Sequence, residues 1–574
     1  MTQTVSISSN SRQSLSRIDD MLLLLIMGVL AACGLIYEYL LSHYAGRILG
    51  ALEAAIYTMI GIMIVSMGLG AFAARKIKDA FTGFATLELI VAICGSSAIL
   101  ITAAVIGFTS EFPQIIATTF NLPPDQLPDG GSIQTMQAMV KYLPYVWGTI
   151  LGLMIGMEIP LIARVRQSLS EEHLLHNAGT IYGADYIGAG AGAAIWVGFM
   201  LAMDIELAAT LTASANLIAG FVFLFRFRDR IKHFSLLVVG HVLASFLLLA
   251  LATFGPDWQQ GFNNLLYKDK VVHSQATRFQ QLTFTERLRG SGLEPVYSMY
   301  INGRLQFSSE DEHIYHSFLV DPVMAISPRH DNILIIGGGD GLGLKQVLKW
   351  NPKHVTLMDL DGELIKLFAS NTAAMPTELS KALRQLNGDA LNDSRLKLMF
   401  DDAFNGVDKL IKSQKKYDTI IVDLPDPSHP DLNKLYSDVF YRKLKELLSA
   451  DGAINIQSTS PYHAKNAFIS IGKTLSSTGF QVQQYHHNVP SFGEWGWTIA
   501  TLSGKKPKTR LEQVKQFPIK EEWLTPSLAR AAFEFPGNFY QNANNVKPNV
   551  LGSLQLYRYH QKAWAQEQDV DVFN

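Results

Sequence analysis

Asp423 and Asp426 close an apolar run, Tyr417-Asp418-Thr419-Ile420-Ile421-Val422-Asp423-Leu424-Pro425-Asp426-Pro427. Two carboxylates this near each other repel unless a cation or a proton joins them, so the pair suits a cationic ligand and proton removal from it. A second group, Ser308-Ser309-Glu310-Asp311-Glu312-His313-Ile314-Tyr315-His316, sets acids and aromatics before an apolar helical stretch. Asp311 and Glu312 suit helix capping as well as charge recognition, and His316 a satisfied helix position as well as a proton-bearing one. Between these groups lies Gly337-Gly338-Gly339-Asp340-Gly341. A glycine-rich strand-to-helix turn lets a ligand approach the backbone, and an acid closing the next strand, here Asp359, can take both ribose hydroxyls. Dinucleotide and S-adenosyl cofactors both use such a turn. Asp340 would repel a phosphate, which favours a cationic ligand. Asp402-Ala403 stands where a carboxylate commonly meets an adenine amino group.

Short apolar strands alternating with amphipathic helices must position these side chains, the pattern of a doubly wound α/β sheet. Strands are predicted at Asn332 to Ile336, His354 to Asp359, Leu396 to Phe400, Tyr417 to Leu424, Ala453 to Gln457, Gln481 to Tyr485 and Trp497 to Leu502, with a helix at Leu344 to Trp350. The acids then gather at the carboxyl ends of the strands, where open α/β sheets bind ligands. Alternating residues over 272–309, with Gly303 in a turn, predict a small β-hairpin subdomain. The tail from 505 shows only a weak helix near Leu551 to Ala565.

The first half of the chain is a different material. Of 574 residues 48% are apolar and 17% charged, against roughly 25% charged in an ordinary soluble domain, which excludes disorder, fibrous repeats and a nucleic-acid arm. The net charge of -2 offers no basic excess for a nucleic-acid partner. Cys33 and Cys94 supply neither a disulfide framework nor a multi-cysteine metal site, and no metal site is expected. Seven segments are long and apolar enough to span a bilayer: about Met21 to Leu41, Ala54 to Ala74, Leu89 to Gly107, Tyr142 to Ile162, Ile181 to Met203, Leu207 to Phe225 and Phe234 to Phe254. Glu38 interrupts the end of the first and no small-residue cleavage site follows, which argues against a signal peptide. Glu38, Glu158 and Asp185 are acids within spans, suited to pairing inside the bundle or to a cation path. The predicted organisation is a polar lead over 1–20, a transmembrane helical bundle over 21–256, a small β subdomain and linking helix over 257–325, an α/β domain over 326–504 and a tail over 505–574.

Lysine and arginine follow the second, fourth and sixth spans (Arg75, Lys76, Lys78; Arg164, Arg166; Arg226, Arg228, Arg230, Lys232), while the opposite loops carry Glu111, Asp125, Asp129, Asp204 and Glu206. The positive-inside preference then sets the N-terminus in the cytoplasm and, after seven crossings, the α/β half on the far side.

From about 270 to 502 the chain resembles the spermidine synthase family, the polyamine aminopropyltransferases, of the multi-span membrane-bound type. The family's opening Tyr-Gln is similar to Phe279-Gln280, its Leu-Asp-Gly…Ile-Gln hairpin to Ile301-Asn302-Gly303 with Leu305-Gln306, and its Asp-Glu-x-x-Tyr-His to Asp311 through His316. The glycine triplet, Asp359 with Asp361, and Asp402 follow in family order, and Asp423, Asp426, Pro427 and Pro430 resemble its Asp-x-x-Asp-Pro-x-x-x-Pro.

The resemblance implies a Rossmann-like domain that binds an S-adenosyl cofactor and transfers the aminopropyl group of decarboxylated S-adenosylmethionine to putrescine or a related diamine, giving spermidine and methylthioadenosine. This co-substrate would replace any prosthetic group. It also implies roles: Asp423 as proton acceptor; Gln280, Gln306, Gly337, Gly338, Gly339, Asp340, Asp359, Asp402, Ala403 and Pro430 around the donor; Tyr315, His316, Asp340, Asp423 and Asp426 around the polyamine. An acid at Asp340 favours the decarboxylated donor, since it would repel the carboxylate of ordinary S-adenosylmethionine. Partners would be the lipid bilayer, a diamine or polyamine and, since soluble members commonly dimerise, a second copy. The cell (inner) membrane is the expected location, with a cytosolic donor pointing to the opposite side from the loop charges. The chain departs from the family where Pro490-Ser491-Phe492 replaces a Pro-Thr-Tyr turn at the diamine site, leaving open whether Glu494 supplies the missing polar group. Trp495 and Trp497 suit the core or a pocket wall. An S-adenosylmethionine-dependent methyltransferase, and a polyamine transporter or sensor built on the synthase fold, are the competing readings.

Overall fold

Long apolar runs can bury their backbone only as helices, and the first half of the chain does so. A computed structural model of the chain describes residues 17–49, 52–120, 131–169, 177–267, 269–290, 292–372, 375–520 and 523–567. Residues 1–16 of the polar lead, the loop acids Asp125 and Asp129, and the end of the tail from 568 lie outside the described residues. The chain divides into two units, Met1–Lys268 and Asp269–Asn574.

The first unit contains the helices Arg17–Leu49, Leu52–Ala73, Ala80–Thr119, Gly131–Val140, Leu143–Leu169, Asn177–Gly198, Ile205–Arg226 and Phe234–Tyr267. Among the described residues six helices are long and apolar enough to cross a membrane, not the predicted seven. The helix Asn177–Gly198, whose run was expected to reach Met203, is diluted by glycines and Asp185 and is not one of the six. Its glycines serve close packing instead: a Cβ on Gly188 would lie 2.1 Å from the carbonyl oxygen of Gly28. Arg166 pairs with Asp20 at 2.5 Å and Arg226 with Asp19 at 2.6 Å, so the starts and ends of three helices gather basic residues at one end of the bundle. Outward-facing Leu69, Leu243 and Phe246 are 57%, 63% and 65% exposed, an apolar surface suited to lipid.

Glu38 and Glu158 are buried and Asp185 is half-buried. Two further acids, Glu88 and Glu206, are fully buried as well. A hydropathy reading ends its segment at a charge, whereas the helix Ala80–Thr119 continues through Glu88, which accepts from Asn216 Nδ2 at 2.8 Å.

The second unit opens with a sheet of four antiparallel strands in sequence order, more than the single hairpin predicted: β1 (Lys270–Ala276), β2 (Gln281–Arg287), β3 (Val296–Ile301) and β4 (Arg304–Ser308). Asn302 and Gly303 join β3 to β4 with φ of 49° and 78°, the left-handed pair a two-residue hairpin requires. The helix Glu312–Ile326 leads into the larger sheet: β5 (Asn332–Gly337), β6 (His354–Asp359), β7 (Leu396–Phe400), β8 (Tyr417–Asp423), β9 (Leu448–Gln457), β10 (Gln481–Val489) and β11 (Gly493–Thr501). Its order is β10-β11-β9-β8-β5-β6-β7, parallel from β5 to β9 and antiparallel at β11 and β10.

The central strand β5 shows why the sheet forms here. Ile333 and Ile335 enter the core on one face, Leu334 and Ile336 that on the other, and none is more than 1% exposed. Such continuous apolar strands belong to parallel sheets covered by helices on both faces. β5 lies between β6 and β8, so the chain leaves its two sides in opposite directions and opens a crevice at the carboxyl ends.

The tail holds more structure than its composition suggests. Its last helix is Gln555–Glu567; Leu556 is fully buried, and Asn549 Nδ2 donates to the carbonyls of Asn433 at 2.9 Å and Tyr436 at 3.2 Å.

Candidate active site

The crevice is built around the turn after β5. Gly337 faces Asp423 across the parallel pair β5–β8 and has φ of 82°, and a Cβ there would lie 2.0 Å from the Asp423 carbonyl oxygen. Only glycine fits that position. Cβ atoms on Gly338 and Gly343 would lie 3.3 Å and 3.8 Å from Asp423 Oδ2, so their missing side chains leave space beside that oxygen.

Three acids line the turn. Asp340 Oδ1 accepts from Leu342 N at 2.9 Å, and Asn387 Nδ2 donates to the Asp340 carbonyl at 3.0 Å. Asp359 Oδ2 accepts from Gly339 N at 3.0 Å and its Oδ1 from Asp361 N at 2.8 Å. Burial pushes Asp340 and Asp359 each up to about 6. Burial also raises Asp423, against the charge of His316 and the hydrogen bond from Tyr315. Carboxyls raised in this way are crowded like charges short of solvent, which a bound cation would relieve.

The helix Glu312–Ile326 presents the acids and aromatics of its first turn to this edge. Tyr315 Oη donates to Asp423 Oδ1 at 2.7 Å; burial raises its hydroxyl well above the usual range, so it stays protonated and donates. His316 Nδ1 lies 2.9 Å from Glu312 Oε2, and its Nε2 lies 4.0 Å from Asp423 Oδ2. Burial would lower His316, yet the hydrogen bond and charge of Glu312 outweigh it and push the imidazole up to about 9. Burial would likewise raise Glu312, but His316 and Lys345, whose Nζ is 3.0 Å from Oε1, hold it down at about 2. Asp311 caps nothing with its side chain; it accepts from Ser491 N at 2.6 Å and Ser491 Oγ at 2.9 Å, tying the loop before β11 to the helix start.

That loop and β11 carry the aromatic wall. The ring of Tyr315 lies 5.9 Å from Phe492, 6.4 Å from Trp495 and 5.7 Å from Trp497. Glu494 occupies the other face of β11, by strand alternation, and contacts His486 on β10, so it does not stand in for the family tyrosine.

Asp426 is held on both oxygens. Gln457 Nε2 donates to Oδ1 at 3.2 Å, while Thr459 Oγ1 donates to Oδ2 at 3.0 Å and His560 Nε2 lies 3.2 Å from Oδ2. Burial would raise Asp426, but His560, Gln457 and Thr459 outweigh it and hold the carboxyl below its usual range. His560, Gln457 and Thr459 were missed in the sequence, because nothing in a polar tail tells that its one histidine reaches back to Asp426, and nothing in the end of β9 singles out Gln457 or Thr459.

The remaining predicted residues stand on neighbouring turns, strands and helix starts. Gln280 Nε2 donates to Asp361 Oδ2 at 2.9 Å, beside Thr277 Oγ1 at 2.7 Å. Gln306 is half-buried on β4, its amide donating to the carbonyls of Arg304 and Leu305, each at 3.3 Å. Asp402 caps the helix Ala403–Lys412 through Asn405 N at 3.1 Å and pairs with Lys434 at 2.9 Å. The neighbouring Asp401 N bonds the Asp359 carbonyl at 3.1 Å, which sets the β7 end against the β6 end. Pro430 opens the short helix Pro430–Asn433.

Residues 312–513 match the family model described as the spermine/spermidine synthase domain. The polyamine aminopropyltransferase of Shewanella oneidensis is 71% identical over 99% of this chain and 99% of its own length. Polyamine aminopropyltransferase 1 of Streptomyces coelicolor is 32% identical over 95% of this chain and 94% of its own. Among solved structures, a spermidine synthase from Thermotoga maritima is similar over 48% of this chain and 87% of its own, with 22% identity and a TM-score of 0.39. By its full-length identity to the Shewanella protein, with the ordered motifs along the same crevice, the chain belongs to the spermine/spermidine synthase family of polyamine aminopropyltransferases.

Proposed function

We propose that this chain transfers the aminopropyl group of decarboxylated S-adenosylmethionine to a diamine such as putrescine, releasing methylthioadenosine. The observation that carries this reading is Asp423, fixed on one oxygen by Tyr315 while its other oxygen borders the space left by Gly338 and Gly343.

A sulfonium is already a good leaving group, so catalysis needs alignment and an uncharged amine. An alkylammonium, with an ordinary pKa of about 10, is no nucleophile until it loses a proton. Asp423 Oδ2 takes that proton. The freed amine nitrogen then forms a bond to the methylene carbon as the carbon–sulfur bond breaks, and its electron pair returns to sulfur. Tyr315 holds Asp423, and the imidazolium of His316 offsets the carboxylate charge from 4.0 Å. Asp340 faces the donor's own amine and Asp359 its ribose. Asp402 and Ala403 lie at the adenine, with Gln280, Gln306, Gly337 to Gly339 and Pro430 completing the donor cleft. Asp426 meets the far ammonium of the diamine, beside the wall of Tyr315, Phe492 and Trp495.

The helices of the first unit serve, on this reading, as a multi-pass anchor in the cell membrane, with the basic end of the bundle on the cytoplasmic side.

Purified full-length protein in detergent, supplied with decarboxylated donor and a panel of diamines, should release methylthioadenosine, and Asp423→Asn should abolish most of it. No methylthioadenosine with any acceptor, or transfer of label from the S-methyl group, would overturn the reading.

A further inference from the structure

The tail helix Gln555–Glu567 lies outside the 312–513 stretch that matches the family model, yet it delivers a side chain to Asp426. His560 is 1% exposed, with Nε2 3.2 Å from Asp426 Oδ2. Because Asp426 is held as a carboxylate, which only accepts, this contact is a hydrogen bond in which Nε2–H donates. The helix is anchored for the purpose: Leu556 is fully buried, and Tyr557 N donates to Asn433 Oδ1 at 3.1 Å. A carboxylate has about four acceptor directions. Among the described residues Thr459 and His560 occupy those of Oδ2 and Gln457 one of Oδ1, which leaves a single direction for a ligand.

We propose that His560 is a positioning residue of the acceptor site: it fixes Asp426 so that the remaining direction of Oδ1 meets one terminal ammonium of the diamine. The C-terminal tail is therefore part of the specificity apparatus, selecting acceptors that end in a primary amine. This rests on the aminopropyl-transfer reading above.

Full-length protein is assayed with the decarboxylated donor and putrescine, as wild type and as His560→Leu, His560→Asn and His560→Gln. The leucine fills the volume without a donor, the asparagine falls short of Asp426, and the glutamine keeps an N–H near the Nε2 position. Loss of a hydrogen bond to a charged group is expected to raise the diamine KM about tenfold or more in the Leu and Asn variants. Donor KM and kcat should stay within a few fold, and His560→Gln should restore most of the diamine affinity. In an Asp426→Asn background the same substitutions should add nothing further, because the group they orient is gone.

An unchanged diamine KM in a folded Leu or Asn variant overturns the proposal. So does an equal loss in donor KM and kcat, which marks a merely structural role, or additivity with Asp426→Asn. If neither the Leu nor the Asn variant folds, His560 is structural and the proposal falls as well. Wild type that releases no methylthioadenosine sinks the transfer reading itself; wild type that turns over while His560→Leu keeps its diamine KM sinks only the role of the tail.

Discussion

Tyr315 Oη and Asp423 Oδ1, 2.7 Å apart, join the first turn of the helix Glu312–Ile326 to the end of β8, the tyrosine donating and the carboxylate accepting. This leaves Oδ2 as the oxygen that the proposed proton transfer would use.

Asp423→Asn should lower kcat by about 10²–10⁴ fold, the range of a lost general base, with little change in donor KM. Tyr315→Phe should cost less, about tenfold, since it loosens Asp423 without removing it. Steady-state release of methylthioadenosine under saturating donor separates the two.

Asp340 and Asp359, each pushed up to about 6, are neutral below that pH and ionised above it. A cationic donor needs them ionised. The kcat/KM for the donor should therefore fall at least about tenfold between pH 7 and pH 5, while a donor analogue lacking the positive sulfur and amine should lose much less. A flat profile over this window would contradict the assignment.

The pair Glu312 and His316 makes a prediction about stability with a definite sign. Glu312, lowered to about 2, stabilises the fold above its ordinary carboxyl range and loses that contribution as pH falls through about 2. His316, raised to about 9, stabilises below its ordinary imidazole range and loses that contribution as pH rises through about 9. The melting-temperature deficit of Glu312→Gln should be greatest near pH 5 to 6 and shrink on approaching pH 9 to 10, as followed by intrinsic fluorescence.

Gly337→Ala should destabilise the fold by about 3 kcal/mol or more, through a left-handed backbone and a collision with the carbonyl of Asp423. Gly338→Ala, whose Cβ would approach only the Asp423 side chain at 3.3 Å, should lower the melting temperature less and raise donor KM more. Thermal denaturation and donor titration of the two variants test this contrast.

The larger sheet was legible because β5, β6 and β8 are short apolar strings ending in glycine or aspartate, and the length of such strings fixes the strand directly. The acids at their ends were legible for the same reason: a charge that ends an apolar strand has to face the crevice. Partnership was not legible. Nothing in Asp311 tells that it binds Ser491 across 180 residues rather than capping its own helix, and Glu494 looks like a site residue until strand pairing turns it to the other face. The helical bundle shows the same limit, since Glu88 stands just before the predicted segment Leu89 to Gly107 and sits inside the helix Ala80–Thr119 in the fold. His560 lies furthest from legibility. Its helix was legible only weakly, through Leu556, Tyr559 and Ala563 on one face, and nothing in that stripe tells that the neighbouring histidine meets Asp426.

Asp361 caps the helix Gly362–Ala369 with one oxygen and receives Thr277 and Gln280 with the other. The turn between β1 and β2 is thus fastened to the same backbone segment that holds Asp359 in place. One carboxylate thus serves as a rivet between the small sheet and the larger one, and moving the β1–β2 turn away would strip both hydrogen bonds from one of its oxygens, leaving a half-satisfied acid at a helix start.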